Sequence, residues 1–121
     1  MSFFVVVDTG ADFVKWQDVQ RSDAPGSAAA DALAGKAIFM EKPCAACHAI
    51  RGTEARGIAG PDLTHVGSRR TIGAGLLENT RGSLAAWIAD PQTLKPGNNM
   101  PNVPLTSDEL LRVSAYLESL K

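Results

Sequence analysis

Cys44 and Cys47 stand two residues apart, and His48 follows directly, in the run PCAACHAI from Pro43 to Ile50. The 121-residue sequence has no other cysteine and one further histidine, His65. Two thiols at this spacing can cycle as a disulfide pair, supply half of a zinc site, or form thioethers to a haem. A zinc site needs four ligands; the Cys and His residues number four in total, and two of them are adjacent, which strains such a site. A thioredoxin-like pair follows a strand and opens a helix in a β-α-β setting, and no such alternation surrounds Cys44. C-x-x-C-H is the c-type haem attachment sequence, and it accounts for His48 as well as for both thiols.

In a site of that kind the motif histidine takes one axial position on iron, here His48. Its other ring nitrogen needs a fixed partner, commonly a backbone carbonyl, and the loop AGPDL offers that of Pro61. The second axial position separates a closed electron carrier from an open site for gas or substrate. Met1, Met40, Met100 and His65 are the supply. Met40 sits a few residues before Cys44 and is expected in the core or in solvent. His65, after PDLT, is expected near the haem edge or solvent. Met100 lies in KPGNNMPN, a Pro- and Gly-bearing loop able to swing a side chain onto the haem face. His48 and Met100 are therefore the expected metal ligands, and methionine sulfur raises the potential.

The elements that must position these groups read as mostly helical. FFVVV, residues 3–7, has the composition of a short strand. ADFVKWQDVQ reads as a short helix with Phe13 and Trp16 on one face. RSDAPGSAAADA is small and polar and bears Pro and Gly, as a linker does. The expected organisation is an extension over 1–26 and a domain over 27–121. From Asp31, DALAGKAIFMEK reads as a helix with Leu33, Ala37, Ile38 and Phe39 on its apolar side, stopped by Pro43. The Gly-rich run from Cys47 to Gly75 reads as a long loop, of the sort that wraps something. SLAAWIAD reads as a helix capped by Ser83 and closed by Asp90-Pro91. After the irregular QTLKPGNNMPNVP, SDELLRVSAYLESLK reads as a helix capped by Thr106 or Ser107. Asp108 and Glu109 fall in its first turn, and Leu110, Leu111, Ser114, Tyr116, Leu117 and Leu120 face inward. No sustained sheet is expected over 28–121.

Charge and composition narrow the partners. Twelve basic residues against 13 acidic ones argue against nucleic acid, which calls for a basic excess. The few aromatics, four Phe, two Trp and one Tyr, make a thin core that a bound apolar cofactor would fill. No stretch reaches the roughly 20 apolar residues of a membrane span, and FFVVV is too short and lacks the basic start of a secretory signal. Thioether attachment of haem belongs outside the cytoplasm. The expected location is thus the periplasm or the outer face of the bacterial cytoplasmic membrane, with any membrane association supplied by a missing part of a longer protein.

Residues 31–121 resemble a class I cytochrome c domain. GKAIF (Gly35 to Phe39) is similar to the start of that family's N-terminal helix, where a glycine allows close contact with an aromatic of the C-terminal helix. RVSAYL (Arg112 to Leu117) resembles the partner helix, with Tyr116 as the aromatic. GPDLTHVGSR resembles the loop in which Pro61 holds the axial histidine and Arg69 approaches a haem propionate. LAAWIADPQTLKPGNNMP resembles the helix and loop leading to Met100, with Trp87 on the methionine side. Asn98, a turn residue by type, would bind a propionate or orient the methionine loop. The fold implied is all-α: about three to five helices wrapped round one haem c bound covalently through Cys44 and Cys47, with a short N-terminal strand and helix extension.

The run from Gly60 to Pro101 further resembles the cytochrome c domain fused to subunit II of caa-type haem–copper oxidases. VVVDTGADFVKWQ resembles the last strand and exit helix of that subunit's cupredoxin domain. The function implied is electron transfer: from a quinol-oxidising complex or a soluble cytochrome, through the haem, to the oxidase copper centre. The domain itself would catalyse nothing. The dinuclear copper site of that subunit needs two cysteines of its own, and both cysteines here are taken, so no dinuclear copper is expected in this chain. A free-standing mono-haem carrier is the second reading; an open-site haem enzyme or gas sensor is the third.

Overall fold

The computed structural model describes residues 3–121. Met1 therefore lies outside the described residues. Helix α1 (Gly10–Arg21) starts at Thr9, whose hydroxyl oxygen accepts the Asp12 amide N–H. Phe13 and Trp16 stack on one side of it with ring centroids 5.7 Å apart, and none of its residues is buried. Residues 3–7, expected as a strand, form none and are exposed. No described segment pairs with them, and without a ladder partner the backbone groups of an extended run turn to water.

The expected linker is fastened to the body behind it. Ala24 donates its amide to the Arg51 carbonyl at 3.1 Å. The Arg51 guanidinium binds the carbonyls of Gln20 and Ser22. The ring of His65 bridges the carbonyl oxygens of Ser22 and Lys121, at 3.2 and 3.3 Å. His65, expected near the haem edge or solvent, is instead buried under this strap. Small linker side chains offer little area to bury, so the backbone carbonyls supply the anchoring points.

Helix α2 (Ala30–Glu41) and a single turn, α3 (Cys44–Cys47), follow. A 3₁₀ turn over Val66–Ser68 and a small antiparallel hairpin, β1 (Thr71–Ile72) with β2 (Leu77–Glu78), break up the expected long loop. Helix α4 (Arg81–Ala89) is capped by Thr80 rather than Ser83, because the Thr80 hydroxyl accepts the Ser83 amide at 3.0 Å. Asp90 closes α4 and then caps a second single turn, α5 (Pro91–Leu94), with its carboxylate on the Thr93 amide. Helix α6 (Ser107–Ser119) opens with a capping box. The Thr106 hydroxyl accepts the Glu109 amide, and the Glu109 carboxylate accepts the Thr106 amide. Among the described residues no helix is long and apolar enough to cross a membrane.

The core lies where α2 crosses α6 and α6 meets α4. Ala32, Gly35 and Phe39 make the buried face of α2, at three- and four-residue spacing. Leu33 and Ala37, expected inward, are exposed, Leu33 by 54%. Gly35 has to face α6, and a residue two positions away sits about 200° round the helix. The same geometry corrects Leu111, 55% exposed, once Val113, Tyr116 and Leu117 turn inward. Phe39 meets Tyr116 edge to face at 5.9 Å.

Candidate functional site

A cavity of about 600 Å³ opens beside this core, within the range of about 300–1,000 Å³ for cofactor sites. Its lining includes Phe39 from α2, Val113 and Leu117 from α6, and Trp87 and Ile88 from α4. The packing that makes the fold thus also makes an apolar cup. Two loops and α3 complete it.

Cys44 and Cys47 bracket the single turn α3, which Pro43 opens and which closes with the His48 amide on the Cys44 carbonyl at 2.9 Å. Residues three apart on a helical turn share a face, and both thiols line the cavity. His48 then leaves the helix in extended geometry. Its Nδ1 lies 2.8 Å from the Pro61 carbonyl oxygen. A carbonyl can only accept, so Nδ1 is the donor, and in the neutral ring Nε2 is left with the lone pair. That is the state in which an imidazole binds a metal.

The loop carrying Pro61 is zipped to the motif. Gly60 donates to the Cys47 carbonyl at 2.7 Å and Leu63 to that of Ala49 at 2.8 Å. A Cβ on Gly60 would lie 2.6 Å from Cε1 of His48, so a glycine is needed where the loop passes the ring. Asp62 turns its carboxylate to the Thr64 amide at 2.7 Å. Burial disfavours the charged Asp62, but the Thr64 hydrogen bonds, with Arg51 and Arg69 nearby, outweigh it and lower the pKa below the ordinary value.

Met100 reaches the cavity from the loop after α5, and that loop is internally bonded. The Asn98 side-chain amide donates to the carbonyls of Pro91 and Lys95 at 2.8 and 2.7 Å, and its oxygen accepts the Met100 amide at 2.8 Å. Gln92 donates to the carbonyls of Asn98 and Met100, both at 2.9 Å.

Cys44, Cys47, His48, Pro61, Trp87, Asn98 and Met100 thus line one cavity. Arg69 does not. It is exposed, and its guanidinium donates to the Asp62 carbonyl at 2.5 Å, where it braces the Pro61 loop. Gln92 escaped the sequence reading, since no spacing rule marks a loop-bracing glutamine. Asn98 carried a signal through its place in a Pro/Gly loop.

The thiol and zinc readings fare poorly. Burial pushes the Cys44 thiol up, whereas a redox-active thiol needs a lowered pKa. Among the described residues no group of three His, Cys, Asp or Glu comes together as a metal cluster. Paired thiols on one turn, an imidazole with Nε2 free, a thioether and apolar walls do fit a haem.

The family model for cytochrome c matches residues 32–121. The chain is 37% identical over 122 residues to cytochrome c oxidase subunit 2 of Alkalihalophilus pseudofirmus, and 30% identical over 126 residues to that of Bacillus subtilis. Each alignment covers all of this chain and 35% of the relative. A cytochrome c-551 from Ectopseudomonas mendocina is 29% identical over 94 residues, 72% of this chain and 98% of that protein. The chain therefore spans about a third of the length of these two oxidase subunits.

Proposed function

The chain belongs to the cytochrome c family, and on that premise we propose that it passes electrons through one haem c to the copper centre of a terminal oxidase. When bound, the haem supplies an iron that exchanges one electron between ferric and ferrous states. Cys44 and Cys47 would hold it by thioethers, and His48 and Met100 would ligate its iron. The observation that carries this reading is the His48–Pro61 hydrogen bond beside a cavity that Met100 also lines. The bond fixes the tautomer and the ring, and Asn98 with Gln92 holds the loop bearing the sulfur. If His48 and Met100 both held the iron, the site would suit a carrier rather than an enzyme. The apolar cup would disfavour the extra charge of a ferric haem and so would favour a raised potential.

The oxidase assignment is supported by alignments that run through residues 1–26 as well as the family domain. On this reading residues 1–26 are the end of a preceding copper-binding domain with its linker, and residues 27–121 the haem domain. The donor would be a quinol-oxidising complex or a soluble cytochrome. The site would face the periplasm or the outer face of the bacterial cytoplasmic membrane, with the membrane anchor in the remainder of the subunit.

The test is the visible spectrum of the ferric and ferrous protein, with carbon monoxide added to the latter. A low-spin c-type spectrum that ignores carbon monoxide is expected, and Met100→Ala should admit carbon monoxide and lower the potential. A variant that does neither would remove Met100 from the iron.

A further inference from the structure

His65 is buried, 7% exposed, and each of its ring nitrogens faces a backbone oxygen: Nδ1 that of Lys121 at 3.3 Å, Nε2 that of Ser22 at 3.2 Å. Backbone oxygens accept and never donate, so both contacts are hydrogen bonds only when both nitrogens carry protons. That is the imidazolium. A neutral ring has one N–H, and its other nitrogen then sets a lone pair against an oxygen lone pair.

The two oxygens are not held alike. Lys121 is kept close by the bond next to it, from the Gly67 amide to the Leu120 carbonyl at 2.6 Å. The backbone of His65 is fixed by Ser68, whose amide and hydroxyl both donate to its carbonyl. Ser22 belongs to the strap between α1 and α2. Over residues 22–29 only Ala24 and Ser27 are even half-buried, so little apolar area holds the strap and its few hydrogen bonds decide whether it docks. When the ring gives up its second proton, the strap is the side free to retreat.

We propose that His65 is a proton-operated latch: its doubly protonated ring fastens the strap at Ser22 to the backbone at Lys121, and loss of one proton frees the strap. The segments that meet at His65 carry Asp23, Asp62 and Glu118, which favour the second proton, and Arg51, Arg69 and Lys121, which oppose it. Arg51 also donates to the Ser22 carbonyl and is itself paired with Asp62 at 3.4 Å; a carbonyl has two lone pairs and can serve both donors. The charges stand three against three, which leaves the two oxygens to decide. Docking should therefore tighten as pH falls from about 8 to about 5, the range in which imidazoles gain a second proton. The latch rests on none of the haem chemistry. On the reading above, in which residues 1–26 lead in from a copper-binding domain, it sets how freely the haem domain moves against that domain.

The experiment is hydrogen exchange at the Ala24 amide, which donates from the strap to the Arg51 carbonyl. The full haem-loaded, reduced chain is measured at about pH 5.5 and about pH 8, and each rate is divided by that of the same amide in an unstructured peptide. Protection about tenfold higher at the lower pH is expected, the size of one hydrogen bond to a charged group. The ¹⁵N shifts of the His65 ring, read in the same samples, should show both nitrogens protonated where the strap is protected. His65→Gln has a side-chain amide that can donate but takes up no proton, so it should protect Ala24 equally at both pH values with the haem spectrum kept. Equal protection in the parent, a ring with one bare nitrogen while the strap is protected, or a pH dependence that survives in His65→Gln would each overturn the proposal. Should that variant fail to fold, the parent's protection and ring shifts decide by themselves.

Discussion

A Cβ added to Gly35 would lie 2.0 Å from the carbonyl oxygen of Arg112 and 2.9 Å from Cβ of Tyr116. Helices α2 and α6 therefore cross backbone to backbone, and the cup over which the cofactor would sit depends on that approach. Gly35→Ala should force the helices apart and cost about 1–3 kcal/mol, the range for overpacking a tight core. Denaturant unfolding of the haem-loaded protein measures it; an unchanged midpoint would mean the crossing yields at no cost.

Gly60 sets a second close approach, against the ring of His48. Gly60→Ala should push the imidazole off the Pro61 carbonyl while leaving Cys44 and Cys47 in place. The expected protein keeps covalent haem, on a denaturing gel stained for haem, but shows a disturbed low-spin spectrum and a shifted midpoint potential. A parental spectrum would show that the loop can give way.

Asn98 makes three hydrogen bonds within the methionine loop, while its neighbour Asn99 is exposed. Asn98→Ala should cost about 2–4 kcal/mol at roughly 1 kcal/mol per bond, and should weaken the ferric sulfur–iron absorption band. Asn99→Ala should disturb stability and band much less, since Asn99 lines the cavity but its side chain makes no hydrogen bond to the loop among the described residues. Equal effects from the two would deny Asn98 its positioning role.

Glu109 accepts the Thr106 amide and pairs with Lys42. The Thr106 hydrogen bond foremost, then Lys42, holds its carboxyl below the ordinary 4.5. Asp90, on the Thr93 side chain and amide, lies below its ordinary 3.8. A depressed carboxylate contributes stability that is present above its unfolded pKa and lost as pH falls through the folded value. Lys42, raised by the Glu109 hydrogen bond above 10.5, has the opposite sign: its contribution is lost as pH climbs through that raised value. Urea midpoints from about pH 2 to 6 should fall on the acid side, and Glu109→Gln should flatten part of that fall. An acid limb identical in the variant would take Glu109 out of the account.

Arg51 holds the residues before α2 to the body through the carbonyls of Gln20 and Ser22. Arg51→Ala should speed hydrogen exchange at the Ala24 amide and open residues 20–26 to proteases, with the haem spectrum intact. Exchange as slow as in the parent would leave His65 as the sufficient tether.

The arrangement of the two thiols and the imidazole was legible in residues that are neighbours in the chain. Cys44, Cys47 and His48 fall within five positions, so one turn of backbone brings both thiols to one side whatever lies beyond it. The Thr106 cap and the Asp90-Pro91 helix stop were readable for the same reason, since each rests on bonds reaching three residues. Tertiary structure decided what local spacing cannot. Which face of α2 is buried followed from the approach of Gly35 to Arg112 rather than from the apolar pattern that favoured Leu33. The direction of Arg69, a guanidinium on a flexible stem near several acceptors, depended on where the Asp62 carbonyl came to rest. His65, expected near the haem edge or solvent, is a buried tether because Ser22 and Lys121, distant in sequence, converge on it. Residues 3–7 had the composition of a strand, but a strand exists only with a partner, and none of the described residues supplies one.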